Sequence, residues 1–167
     1  MYDLKALSKS AIPAALAQAE RYRLLNEPAE AESICLDILR LDPDHQEALV
    51  TMVLALTDQF PESGHARAAA DAERTVSKIR DEYKRLYITG IIRERRGKAV
   101  LRSDRPGSGR SAHAWLKEAM ACYEKAEAIR PAGNDEAVLR WNTCARLLMS
   151  MPASEPEVHE FSAIQSE

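Results

Sequence analysis

The chain has 167 residues, with 23 Lys or Arg against 26 Asp or Glu, a net charge of −3, and 46% hydrophobic residues. That is about one domain of globular composition, which excludes a mainly disordered chain. No stretch reaches the roughly 18 apolar residues of a membrane span, and the start MYDLKALSKS has no apolar core behind basic residues, so no signal peptide is expected. Alanine occurs 27 times against 20 for Val, Ile and Thr combined, a balance that favours helix over sheet.

Taken in chain order, the punctuation predicts seven helices. A short helix over 3–8 precedes them. Pro13 suits a first helical turn, and the first helix runs over 13–25. Pro28 opens a second over 28–41, with Ala31, Ile34, Cys35, Ile38 and Leu41 on one face. Asp44 caps a third, to about residue 58. The run Phe60-Pro61-Glu62-Ser63-Gly64 is a turn. A fourth helix covers 65–80 and a fifth 81–101. Residues 102–110, RSDRPGSGR, form a loop. A sixth helix covers 111–130. A seventh covers 134–150, with Val138, Trp141, Ala145 and Leu148 on one stripe. Residues 151–167 form an acidic tail, with Glu155, Glu157, Glu160 and Glu167. The expected fold is all-α.

Two stretches carry the same marks. Ala19 and Asn26 are seven apart, as are Gly90 and Gly97; Ala31 precedes Pro43 by twelve, as Ala119 precedes Pro131. Apolar positions between the marks also correspond: Cys35 with Tyr123, Ile38 with Ala126, Leu41 with Ile129. Physically this is a helical hairpin. A small residue admits the partner helix, Gly or Asn caps the first helix in the left-handed conformation, and Pro ends the second. The pattern resembles the tetratricopeptide repeat, whose period is 34 residues. Pro43 and Pro131 are 88 apart, or two periods plus 20, and 17 of the extra residues fall between Gly97 and Ala119. The resemblance implies a right-handed superhelical stack of about three hairpins and a capping helix over 1–150. The family's aromatic near the start of the first helix is absent from every repeat.

Catalytic constellations are not apparent, and no enzymatic activity or cofactor is expected. His45, His65, His113 and His159 lack i, i+4 partners for a metal. Three cysteines, Cys35, Cys122 and Cys144, lie in helical patterns without zinc spacing and read as reduced core thiols of a cytoplasmic protein. The Gly107-Ser108-Gly109-Arg110-Ser111 run lacks the lysine and preceding strand of a phosphate loop. Glu30 and Glu32 read as solvated charge. Trp141 reads as core, and Trp115 as core or an exposed anchor.

Charge is more informative. Residues 74–110 hold a net +8 and the remainder −11. Arg93, Arg96, Lys98, Arg102, Arg105 and Arg110 form a basic segment that attracts anionic partners or is a solvated helix end. The resemblance supplies a second surface, since first helices of such hairpins line a concave face that takes peptides. By position this points to Leu16, Glu20, Arg23, Val50, Leu54, Lys84, Tyr87, Ile91, Arg95 and Arg140. The family's chaperone-binding members clamp a carboxylate here with Lys, Asn and Arg. Leu, Glu, Thr, Leu, Tyr and Ile stand in those places, so that clamp is not implied. The expected function is an adaptor that binds another protein or peptide segment. The alternative is an anion-binding regulator of nucleic acid or a membrane surface, working through 93–110; nucleic acid is the less favoured partner because no aromatic follows Tyr87 in that block. A homodimer is compatible with either.

Overall fold

The computed structural model describes residues 2–61, 66–103 and 105–151. Among the described residues there are seven α-helices and no strand: α1 (Ile12–Leu24), α2 (Pro28–Leu41), α3 (Gln46–Asp58), α4 (Ala66–Val76), α5 (Glu82–Arg102), α6 (Ser108–Ala128) and α7 (Glu136–Ser150). None of them is long and apolar enough to cross a membrane. The tail 152–167 and the turn residues 62–65 lie outside the described residues.

Local chemistry explains most boundaries. Pro13 and Pro28 stand in the first turns of α1 and α2, where a missing N–H is harmless. The Asp81 side chain accepts from the Lys84 amide at 2.7 Å and caps α5. At α3 the cap is His45, not Asp44 as expected; its Nδ1 accepts from the Ala48 amide at 3.2 Å. α1 closes in a Schellman arrangement. Asn26 takes φ 61, its amide donates to the Arg23 carbonyl at 3.0 Å, and the Glu27 amide donates to the Tyr22 carbonyl at 2.9 Å. Asn26→Val is therefore expected to lower stability by about 1–2 kcal/mol, with Asn26→Gly neutral or better, in urea denaturation.

Several boundaries differ from expectation. Residues 3–8 form no helix; a single 3-10 turn at Lys9–Ala11 precedes α1. α4 is shorter than 65–80, and α6 begins at Ser108 rather than Ser111. Gly97, expected to cap its helix as Asn26 does, lies inside α5. Its missing Cβ serves packing instead: a Cβ there would sit 3.2 Å from the Ala112 carbonyl oxygen, Leu116 Cγ and Trp115 Cβ. The left-handed glycines of this half are Gly107 and Gly133.

Consecutive helices pack on one another from α1 to α7, and α1 touches α3 as α3 touches α5. Small residues set the approaches. Ala19, Ala31, Ala119 and Ala126 are fully buried, and Gly90 lies beneath the ring of Tyr123. The main core runs from Ala19 to Cys144, and Leu16, Ile38 and Ala48 form a smaller cluster near the N-terminus.

Candidate functional site

One face of α5 carries Lys84, Tyr87, Ile91, Arg95, Lys98 and Arg102 at three- and four-residue spacing, so they form one stripe. Beside it run Val50, Leu54 and Asp58 of α3, then Leu16, Glu20 and Arg23 of α1. Two cavities open along this face. One, of about 370 Å³, is lined by Leu16, Glu20, Val50, Thr51 and Lys84. The other, of about 270 Å³, is lined by Thr57, Asp58, Glu94, Arg95, Lys98, Arg102 and Arg140. The structure thus brings the expected groove residues to one side of the molecule. Leu16 and Ile91 are buried and form floor; Val50, Leu54 and Tyr87 are half-buried; Glu20 and Lys84 are exposed. Tyr87 lies between Tyr83 and Tyr123, with ring centroids 6.0 and 5.9 Å away.

Two carboxylates organise the polar cavity. Asp58 is shared by Arg23, whose Nε donates at 2.8 Å, and by Arg95. The same Arg95 nitrogen also reaches the Leu54 carbonyl at 3.1 Å and the Thr57 hydroxyl at 2.5 Å. Glu94 has 0% exposure. It accepts from Lys98, from the Tyr123 hydroxyl at 2.7 Å and from Arg140 at 3.3 Å. One acidic side chain therefore joins α5, α6 and α7. Burial pushes the Glu94 carboxyl up, but bonds from Lys98 and Tyr123 and the charges of Lys98 and Arg140 outweigh it and hold it below the ordinary 4.5. Burial, then the neighbouring Glu94, pushes the Tyr123 hydroxyl far above its usual range. Burial lowers Arg95, and the cations Arg23 and Arg140 add to that against Asp58.

The basic segment is not one surface. Arg93 and Arg96 leave α5 on the side opposite the groove. Both pair with Glu73 of α4, Arg93 also reaches Glu118 at 3.2 Å, and their guanidinium carbons lie 5.6 and 4.1 Å from the ring centre of Trp115. Trp115 is accordingly a half-buried platform for two cations. Lys98 and Arg102 face the polar cavity, while Arg105 and Arg110 are exposed near the loop. Trp141 packs half-buried against the main core, as the stripe predicts, with its Nε1 donating to Glu124 at 2.9 Å.

A third cavity of about 330 Å³ lies between α2, α3 and α4, floored by Leu39, Leu49 and Met52 and edged by Glu32, Arg67 and Arg74. Glu32 is not solvated charge as expected. It is 8% exposed and accepts from Gln59 at 2.7 Å and from both terminal nitrogens of Arg67, at 2.9 and 3.1 Å. Among the described residues no three potential ligands cluster for a metal. All three cysteines are unpaired, and burial pushes Cys35 and Cys144 up to about 12, leaving them inert as nucleophiles.

The buried roles of Glu94 and Glu32 are absent from the sequence expectations. One local signal for Glu94 exists, Lys98 at i+4. The sequence matches no protein-family model, no curated protein and no solved structure.

Proposed function

We propose that the chain is a non-enzymatic, cytoplasmic adaptor, built as a short right-handed stack of tetratricopeptide-like hairpins, that binds another protein through the face formed by α1, α3, α5 and α7. The repeat reading draws on the pairs α1–α2, α3–α4 and α5–α6, on the contacts between their first helices, and on the matching marks from Ala19 to Pro43 and from Gly90 to Pro131. The observation that carries the binding reading is the face itself. Half-buried Val50 lines a cavity of about 370 Å³, and half-buried Leu54 and Tyr87 follow it along α3 and α5 toward a charged cavity of about 270 Å³. Apolar contacts beside fixed charges suit an extended or helical segment of a partner, the charges orienting it and speeding encounter.

The alternative, an anion-binding regulator of nucleic acid or membrane through 93–110, draws less support. Arg93 and Arg96 are neutralised by Glu73 and Glu118 and turned away from Lys98 and Arg102.

The test is a tagged pull-down from native lysate, with and without nuclease and at low and high salt, using wild type and Val50→Glu. A protein retained through nuclease and high salt, and lost by at least tenfold with Val50→Glu at unchanged melting temperature, is the expected result. Material released by nuclease, or capture indifferent to Val50→Glu, would sink the groove reading.

A further inference from the structure

We infer that the polar cavity between the end of α3, the α5 stripe and α7 is a binding site for a phosphomonoester dianion, the group carried by a phosphorylated serine or threonine. The inference rests on the adaptor reading for the source of that group, a segment of the bound partner, but not for the site itself.

The charge balance leads there. Among the described residues four cations line the cavity, Arg95, Lys98, Arg102 and Arg140, against two carboxylates, Asp58 and Glu94, a surplus of two positive charges. Each carboxylate is already saturated by two cations: Asp58 by Arg23 and Arg95, Glu94 by Lys98 and Arg140. These pairings hold the heads of Arg95, Lys98 and Arg140 in place without cancelling them, since one negative charge serves two positive ones. Fixed cations around a pocket are a preorganised site, because little side-chain freedom remains to be lost on binding.

Donors are also left over. Arg95 uses one terminal nitrogen for its bonds to Leu54, Thr57 and Asp58. Arg140 gives one nitrogen to Glu94 and also bonds Tyr87, which leaves it further N–H groups. Arg102, on the last turn of α5, has no carboxylate partner among the described residues. Burial lowers the proton affinity of Arg95; Asp58 opposes that, and nearby Arg23 and Arg140 add to it.

The number of charges selects the ligand. A phosphomonoester carries about −1.5 to −2 at neutral pH and three acceptor oxygens, which matches the surplus. A single carboxylate carries one charge in a plane and leaves the cavity positive. Guanidinium groups suit phosphate through paired N–H bonds, and three of the four lining cations are arginines.

The experiment is a titration of the full chain, isotopically labelled and followed by amide and arginine side-chain NMR, at constant ionic strength. The probes are inorganic phosphate, N-acetyl-phosphoserine amide and acetate. The expected result is saturable shifts confined to α5 from Arg95 to Arg102 and to α7 around Arg140, with both phosphates and not with acetate. Arg102→Gln should weaken phosphoserine binding about tenfold, as for one lost charge-assisted contact, while Arg105→Gln changes it less than twofold. Arg102 is exposed, so its loss leaves the fold intact, which the unshifted core resonances of the free variant verify. Equal response to acetate, shifts scattered over Arg67, Arg74 and Arg110, response to inorganic phosphate without phosphoserine, or indifference to Arg102→Gln would each overturn the inference. No protein partner takes part, so failure here leaves the groove reading standing, and a failed pull-down leaves this site standing.

Discussion

Replacing Glu94 by Ala is expected to lower the stability of the protein by about 3–5 kcal/mol, the penalty of stranding buried partners of a removed charge. Glu94 is fully enclosed, and its loss takes the acceptor from Lys98 and the Tyr123 hydroxyl and the carboxylate from Arg140, which keeps only its bond to Tyr87. For a domain of this size that is a fall in melting temperature of roughly 6–20 °C. Glu94→Gln keeps the shape and should lose less, since the amide oxygen still accepts from Tyr123. The pH dependence follows from the sign of the shift. The folded carboxyl lies below its ordinary 4.5, so it binds its proton less readily folded than unfolded. Its contribution is therefore complete above 4.5 and is lost as pH falls through the lower folded value. Urea denaturation at pH 7 and at successive points below 4.5 should show part of the acid destabilisation of the wild type missing in Glu94→Gln. A loss under 1 kcal/mol for Glu94→Ala at pH 7 would mean that Glu94 does not fasten α7 to α5 and α6.

Gly90→Ala is expected to be the most damaging glycine-to-alanine change among the described residues. Alanine is the better helix former by about 1 kcal/mol, so propensity alone predicts stabilisation. Packing reverses the sign. The new Cβ would lie 2.4 Å from Tyr123 Cε1, 2.7 Å from Cδ1 and 2.9 Å from Cζ. The ring cannot swing aside freely, because Tyr123 is fully buried and its hydroxyl is bonded to Glu94. Overpacking at about 1–3 kcal/mol, with strain on a charge-assisted hydrogen bond, leaves a net loss of about 2 kcal/mol. Gly97→Ala meets its nearest atoms at 3.2 Å and should stay within about 1 kcal/mol of wild type. The pair separates close approach from helix propensity in one denaturation series. Equal effects at both positions would refute the argument. In a Tyr123→Leu background Gly90→Ala should cost less than it does in the wild type, a non-additivity expected of touching residues.

What the sequence made legible was the local punctuation. Pro13, Pro28, Asn26 and Asp81 act within one turn of themselves, so α1, α2 and α5 fall within a residue or two of expectation. Gly97 was misread because its environment, not its conformation, demands glycine, and that environment comes from Ala112, Trp115 and Leu116 on the next helix. Glu32 and Glu94 were beyond a local reading for the same reason. Their burial is set by Gln59 and Arg67 in one case, and by Tyr123 and Arg140 in the other, each 27 or more residues away. The division of the basic segment was legible in principle. Arg93 and Arg96 lie half a helical turn or so from the stripe of Arg95, Lys98 and Arg102. Counting charge along the chain, rather than around the helix, merges two surfaces into one.

The length of α5 has a dynamic consequence. α3 ends at Asp58, at the level of Arg95, whereas α5 continues to Arg102, roughly 10 Å further along its axis. Beyond that level α5 leans chiefly on α6, where Gly97 lies against Ala112, Trp115 and Leu116. Amides in these last turns are expected to exchange with solvent through local opening, and those near Gly90 through global unfolding, which native-state hydrogen exchange measures. Arg102 is therefore expected to ride on a tip that opens locally on a rigid base, and a ligand that grips it to slow that opening without touching the core.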